Sequence, residues 1–446
     1  MATAKTQGQT TGTSRAGGMF RALAHRNFRL FWAGAFLSNV GTWMQSLAQG
    51  WLVLQLTNSG TWLGVDNFVA TVPGLLLTLV GGVIADLVDR KRLLIITQAG
   101  AGVSALVLGV LILTGTVKVW MILVLSFVTG CCWAISGPAY QAITVDLVER
   151  EDFANAIALN SSQFQLARVV GPLLAGLTIS FFGMAGCFLL NGLSYVAICA
   201  ALARVRFNKA ETRPSGSVSM SVEDDTLPDG RVSDTDGRAG HSLTDRRAMW
   251  RDLVEGFSYV RGRPRVSVIL LCSTVVCLFG TPYLVLMPLF AKNVYGWDET
   301  GLSLLMGTAG AGALCGALAL AYLGDFRRKG WFLLCSMLAG GACIASFASA
   351  TRPATALPLL FGVGVSMVSF FAVGNTILQQ LVTNEMRGRV MSMWVLTFIG
   401  TMPVGSYIAG ALADRFGPGQ TLAVCGLVIV VFSLAVGALT PRLREI

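Results

Sequence analysis

The sequence predicts an all-α integral membrane protein of 12 transmembrane helices, arranged as two six-helix halves of inverted three-helix repeats. Three observations carry this. Hydrophobic residues fill 54% of the 446 positions and charged residues only 13%, about half the share with which a soluble domain covers its surface. The apolar residues fall into twelve runs, each near or above the ~20 residues that cross a bilayer as a helix. A short glycine–aspartate spacing also recurs, whole or in part, after every third run.

In chain order, residues 1–27 are a polar N-terminal tail without the apolar stretch of a cleaved signal, so the first run is expected to direct insertion. An N-terminal half at 28–203 holds runs at 29–54, 62–85, 93–114, 119–145, 153–182 and 184–203. A linker at 204–265 follows. Its 208–247 stretch has no aromatic residue and a composition that favours disorder. Its 248–261 stretch spaces Trp250, Leu253, Val254, Phe257 and Val260 as an amphipathic helix on the membrane surface. The C-terminal half at 266–440 holds runs at 266–291, 297–323, 331–350, 354–382, 389–413 and 418–440, before a short tail at 441–446.

Charge sets the orientation. The chain carries +10, but its basic residues sit between the runs rather than in one groove, which argues against nucleic acid. With the N-terminus inside, the inner segments hold 28 Lys and Arg and the outer loops four, namely Lys118, Lys292, Arg352 and Arg415. Both termini and the linker are therefore expected in the cytoplasm of a cell whose inner membrane the chain spans. The ten cysteines all lie in apolar runs, without zinc-ligand or disulfide spacing, and no cofactor or metal site is read. Neither a Gly-x-x-x-x-Gly-Lys-Ser/Thr phosphate loop nor a His-Glu-x-x-His motif occurs, so an ATP-driven pump and a zinc protease are set aside; the chain does not read as an enzyme.

The repeat reads Gly82-Val-Ile-Ala-Asp86-Leu-Val-Asp89-Arg90-Lys91-Arg92 after the second run and Gly410-Ala-Leu-Ala-Asp414-Arg415 after the eleventh. It survives uncharged from Gly176 to Ser180 after the fifth, and in part as Asp325 with Arg327, Arg328 and Lys329 after the eighth. Gly137 to Val145 likewise matches Gly374 to Val382.

These residues resemble the major facilitator superfamily. Gly82 to Lys91 is similar to its cytoplasmic 2–3 loop signature, with Asp89 where the family usually has glycine. Gly171-Pro172-Leu-Leu-Ala175-Gly176 resembles the helix 5 motif of its drug antiporters, with Ala175 for one glycine. Arg26 to Trp32, Gly41 to Gln45, Ala154 to Ser161 and Arg387 to Ser392 resemble the siderophore-exporter-like branch, which includes enterobactin exporters. The resemblance implies secondary transport by alternating access, and a gate in which Asp86 faces the N-terminus of the eleventh helix near residue 389. Asp325 would make the pseudo-symmetric contact near Phe153, with Gly82, Arg90, Lys91 and Arg328 around these gates. It also implies that helices 1, 4, 7 and 10 line the central cavity.

Two charges lie clear of the helix ends, Asp66 and Arg168. Each costs about 2.5–3.5 kcal/mol at a helix centre on insertion scales, so both are candidates for coupling or charge relay. With no histidine in a span, Asp66 is the acidic candidate if protons drive transport. Gln45, Gln49, Trp133, Tyr140, Gln141, Tyr283, Asn375 and Gln379 are candidate cavity residues; helix packing is the competing reading of such polar positions. The expectation is a monomeric exporter, proton-coupled, of amphipathic molecules such as siderophores or drugs. An importer on the same fold and a non-transporting receptor stay open.

Overall fold

The computed structural model describes residues 20–205, 257–324 and 326–444, with the backbone alone described at 78–83, 85, 86 and 442. Among the described residues there is no strand. The principal helices are α1 (Arg26–Thr57), α2 (Gly60–Leu87), α3 (Arg90–Leu113) and α4 (Val119–Asp146). The 52-residue run Phe153–Arg204 comprises α5 and α6, two arms that meet at Gly183. Then come α7 (Pro264–Val294), α8 (Glu299–Leu323), α9 (Lys329–Ala348), α10 (Pro353–Leu381), α11 (Arg387–Phe416) and α12 (Pro418–Leu439). Nine stretches among the described residues are long and apolar enough to cross a membrane, with Arg150–Arg204 counting as one.

Local chemistry explains where these helices start and break. Asp89 caps α3 by accepting from the Arg92 N–H at 2.9 Å, and Asp298 caps α8 through the N–H groups of Thr300 and Gly301. At Gly183 the backbone takes φ 67° and ψ 179°, which a residue with a Cβ rarely adopts, so α5 turns into α6 within one residue. α7 carries π-helical turns at Val276–Gly280 and Phe290–Val294, on either side of Pro282 and Pro288. A proline ring displaces the carbonyl four residues back, and the wider turns absorb that displacement.

Packing follows from residue size. Phe28, Phe31, Leu94, Ile143 and Ile198 bury themselves at one end of the first six helices, together with Ala22 of a 3₁₀ turn that precedes α1. Leu76, Ile96, Phe181, Phe182 and Val431 stay exposed on the outer surface, as a lipid-facing wall requires. Of the linker stretch 248–261, residues 248–256 and the 208–247 segment lie outside the described residues; 257–261 are helical.

Candidate functional site

The first cluster surrounds Asp66 in α2. Its Oδ2 accepts from Gln49 Nε2 at 2.7 Å and its Oδ1 from Ser126 Oγ at 2.7 Å, while Gln49 Nε2 also donates to Ser126 Oγ at 2.9 Å. Three helices, α1, α2 and α4, thus converge on a carboxyl that is 8% exposed. Its partners are neutral, and no ion pair to it occurs among the described residues. Such a group exchanges a proton without having to break a salt bridge first.

The second cluster lies where the first six helices meet the last six. Arg168 Nη2 donates to Tyr283 Oη at 3.2 Å, and the guanidinium lies 5.5 Å from the centroid of the Trp43 ring. Phe164 completes the group, edge-on to Trp43 at 6.1 Å. Above Arg168 the contact between α5 and α8 is close: a Cβ on Gly310 would meet the Arg168 carbonyl oxygen at 2.6 Å, and one on Gly176 would overlap Ser303 Oγ. Gly171 packs in the same way on Trp43, and Pro172 is buried beside it.

A third contact joins α2 and α11. Asp414 Oδ1 accepts from the Gly60 N–H at 2.5 Å. Its Oδ2 accepts from the Thr61 N–H at 2.9 Å, Thr61 Oγ1 at 2.6 Å and Ser59 Oγ at 2.5 Å. Nearby, Lys292 Nζ donates to Asn58 Oδ1 at 3.0 Å. Below this point the helices touch backbone to backbone. A Cβ on Gly64 would lie 2.6 Å from the Ser406 carbonyl oxygen, and one on Gly410 would overlap the Gly60 carbonyl.

The remaining predicted positions fall as follows. Arg90 donates to Asp146 at 2.9 Å, between half-exposed side chains, and Lys91 donates to the carbonyls of Ala203 and Val205 at the end of α6. Arg328 precedes α9 with φ 63° and is exposed. Gly82 and Asp86 belong to α2 by backbone; the Asp86 side chain and the whole of Asp325 lie outside the described residues. Gln45 accepts from Asn191 Nδ2 at 2.7 Å, which joins α1 to α6. Tyr140 donates to Asn160 Oδ1 at 3.1 Å and accepts from Gln163 Nε2 at 3.0 Å. Asn375 accepts from Gln379 along α10, and Trp133, Gln141 and Gln379 are exposed.

Sequence reasoning missed Ser126 and Asn191, single polar residues in apolar runs that give no signal beyond their polarity. It also missed the clamp in which Asp152, 4% exposed, holds Arg21 at 3.1 Å and His25 at 2.8 Å. Asp414 did carry a signal, the repeated glycine–aspartate spacing, but its partners lie some 350 positions away.

The arrangement of helices is that of membrane transporters. A solved bacterial homologue of the human lysosomal transporter Spinster, in an inward-facing and unoccupied conformation, superposes with a TM-score of 0.69 at 13% identity, over 97% of this chain and 98% of that one. The model of the MFS_3 family, described as transmembrane secretion effector, matches residues 17–224 and 237–445, and the chain belongs to this family of major facilitator transporters. It is 22% identical to the staphyloferrin A transporter of Staphylococcus aureus, over 93% of this chain and 97% of that protein. Identity is also 22% with macrolide efflux protein A of Streptococcus pyogenes, over 94% and 96%, and with the enterobactin exporter EntS of Salmonella typhi, over 94% of both. The resemblance read from the 2–3 loop and helix 5 motifs is thereby borne out.

Proposed function

We propose that this chain is an ion-gradient-driven exporter, a proton antiporter that moves amphipathic small molecules such as siderophores or drugs out of the cell. In this reading it crosses the inner membrane twelve times, as two six-helix halves of inverted three-helix repeats, with both termini in the cytoplasm. The halves rock about the seam between them, so that the cavity opens to one side at a time.

The observation that carries the reading is where the halves are tied. Their contacts at Asp414, Lys292 and Gly176 lie toward one end, the end opposite the basic loops, with the Arg168–Tyr283 contact near mid-span. By the charge asymmetry that end is the outer one, so the present state is closed outside and faces inward. Exposed Trp133, Gln141 and Gln379 suit a cavity open to the cytoplasm. Asp66 takes the role of proton carrier, because protonation removes a charge that the membrane interior disfavours and spares its neutral partners. Asp86 and Asp325 form gates that close the inner end in the opposite state, with Gly82, Arg90, Lys91 and Arg328 about them. Siderophore and macrolide transport by the relatives supports this cargo class.

The test is efflux of a panel of siderophores and lipophilic dyes from cells expressing the chain, with and without a protonophore. Efflux of at least one compound, abolished by the protonophore, is the expected result. Faster accumulation without efflux would replace this reading by an importer, and no movement of any compound would favour a receptor.

A further inference from the structure

The glycine–aspartate spacing occurs twice on the pair of helices that form the α2–α11 seam. Gly82 and Asp86 end α2, and Gly410 and Asp414 lie near the end of α11. The two helices run in opposite directions across the seam: Gly60, at the start of α2, lies against Gly410, near the end of α11. Each helix therefore carries an aspartate four residues past a glycine toward the beginning of the other. At one end that geometry is realised in full, with Asp414 accepting four hydrogen bonds from Ser59, Gly60 and Thr61. Two of them come from N–H groups at the start of α2, where the helix dipole adds its attraction for a carboxylate.

Several features make this a contact built to part. Asp414 is exposed, so water takes over each hydrogen bond as it breaks. The Ser406 hydroxyl, buried at the same seam, has no hydrogen-bond partner among the described residues, so closure leaves one polar group unsatisfied there. The equivalent place on α5 has Ser180, which bonds back to the Gly176 carbonyl at 2.9 Å, and Asp298 caps its own helix α8. Among the described residues, the outer end of the α5–α8 seam thus has no counterpart of the Asp414 latch.

We infer that Asp414 is the outer gate latch of the transport cycle, the reciprocal of the inner aspartate on α2. In this state it caps α2 and holds the outer end shut, and it must let go for the cavity to open outward. The inference rests on the alternating-access reading given above.

Hydrogen exchange on the full-length protein in lipid nanodiscs tests it without a cargo. Asp414→Asn is expected to raise exchange at least tenfold in peptides covering 59–66 and 403–414. It is also expected to slow exchange at the opposite end, in peptides covering 88–92 and 383–389. Thr61→Val, which removes one donor and keeps the carboxylate, is expected to shift both ends in the same sense by less, and guards against misfolding of the first variant. Asp298→Ala is the control and should leave both ends unchanged. Faster exchange confined to 59–61, with no response at the opposite end, would reduce Asp414 to a local helix cap and overturn the inference. If the latch responds as expected but no compound leaves the cells, the latch stands and the export reading fails.

Discussion

The α2–α11 seam has no room for a methyl group, and Gly64→Ala measures what that closeness does. The new Cβ would sit 2.6 Å from the Ser406 carbonyl oxygen and 2.8 Å from the Tyr407 Cα, both backbone atoms that cannot rotate away. An ordinary carbon–oxygen contact is about 3.4 Å, so the two helices must separate by about 0.8 Å. The hydrogen bonds to Asp414, 2.5–2.9 Å long and about one turn away, would stretch past the ~3.2 Å limit of a sound bond. Overpacking costs about 1–3 kcal/mol, which favours the outward-open state by roughly 5- to 150-fold. The initial efflux rate at matched expression should fall by at least fivefold, and exchange across 60–66 should rise. Gly137→Ala is the comparison, since no described residue lies within 4 Å of its Cβ position and alanine suits a helix better. Wild-type efflux and unchanged exchange in Gly64→Ala would refute the account of the seam.

Asp66→Asn keeps the shape of its cluster but cannot carry a proton; protonophore-sensitive efflux should be lost while downhill exchange of cargo persists, and full gradient-driven efflux would remove Asp66 from coupling. Arg168→Ala should cut efflux at least tenfold more than Arg92→Ala, because it also strands the Tyr283 hydroxyl, which is 2% exposed; equal effects at matched expression would make Arg168 structural. Deletion of 210–245 should leave efflux within about twofold of wild type, and complete loss would show that the linker takes part in transport. The Thr300 hydroxyl and the N–H groups of Thr300 and Gly301 hold the Asp298 carboxyl below its usual 3.8. A carboxyl with its pKa lowered in the fold stabilises above its ordinary value and ceases to as pH falls through the lowered one. Asp298→Ala should therefore lower the melting temperature at pH 7, by the equivalent of about 0.5 kcal/mol for this exposed cap. The difference should shrink below pH 3.8, and a gap that did not depend on pH would contradict the assignment.

The helices were legible because the bilayer imposes one rule on every span: long and apolar, with charge kept to rare positions such as Asp66 and Arg168. The family was legible because the 2–3 loop and helix 5 motifs are local, with every residue they need within a dozen positions. The site residues were visible one at a time, but what joins them was not. Asp66 stood out as a charge in an apolar run, and Gln49 as an amide, yet nothing in the chain states that they meet across two helices, with Ser126 as the third member. Gln45 has the same chemistry as Gln49 and lies one turn away on nearly the same face of α1, yet the structure ties it to Asn191 of α6 instead. Arg168 stood out as a charge clear of the helix ends, but its neighbours are an aromatic ring and a phenol, which no search for carboxylates would have turned up.

The single-residue corner at Gly183 has a practical consequence. A loop of several residues lets two helices slide against each other, whereas one residue with a fixed left-handed φ does not. The α5 and α6 arms are therefore joined without slack, and the Asn191–Gln45 hydrogen bond ties α6 to α1 as well. A pair of probes placed on the two arms should keep the same separation throughout the cycle. That separation is a built-in ruler, a reference length against which any change measured across the seam between the halves can be calibrated in the same molecule.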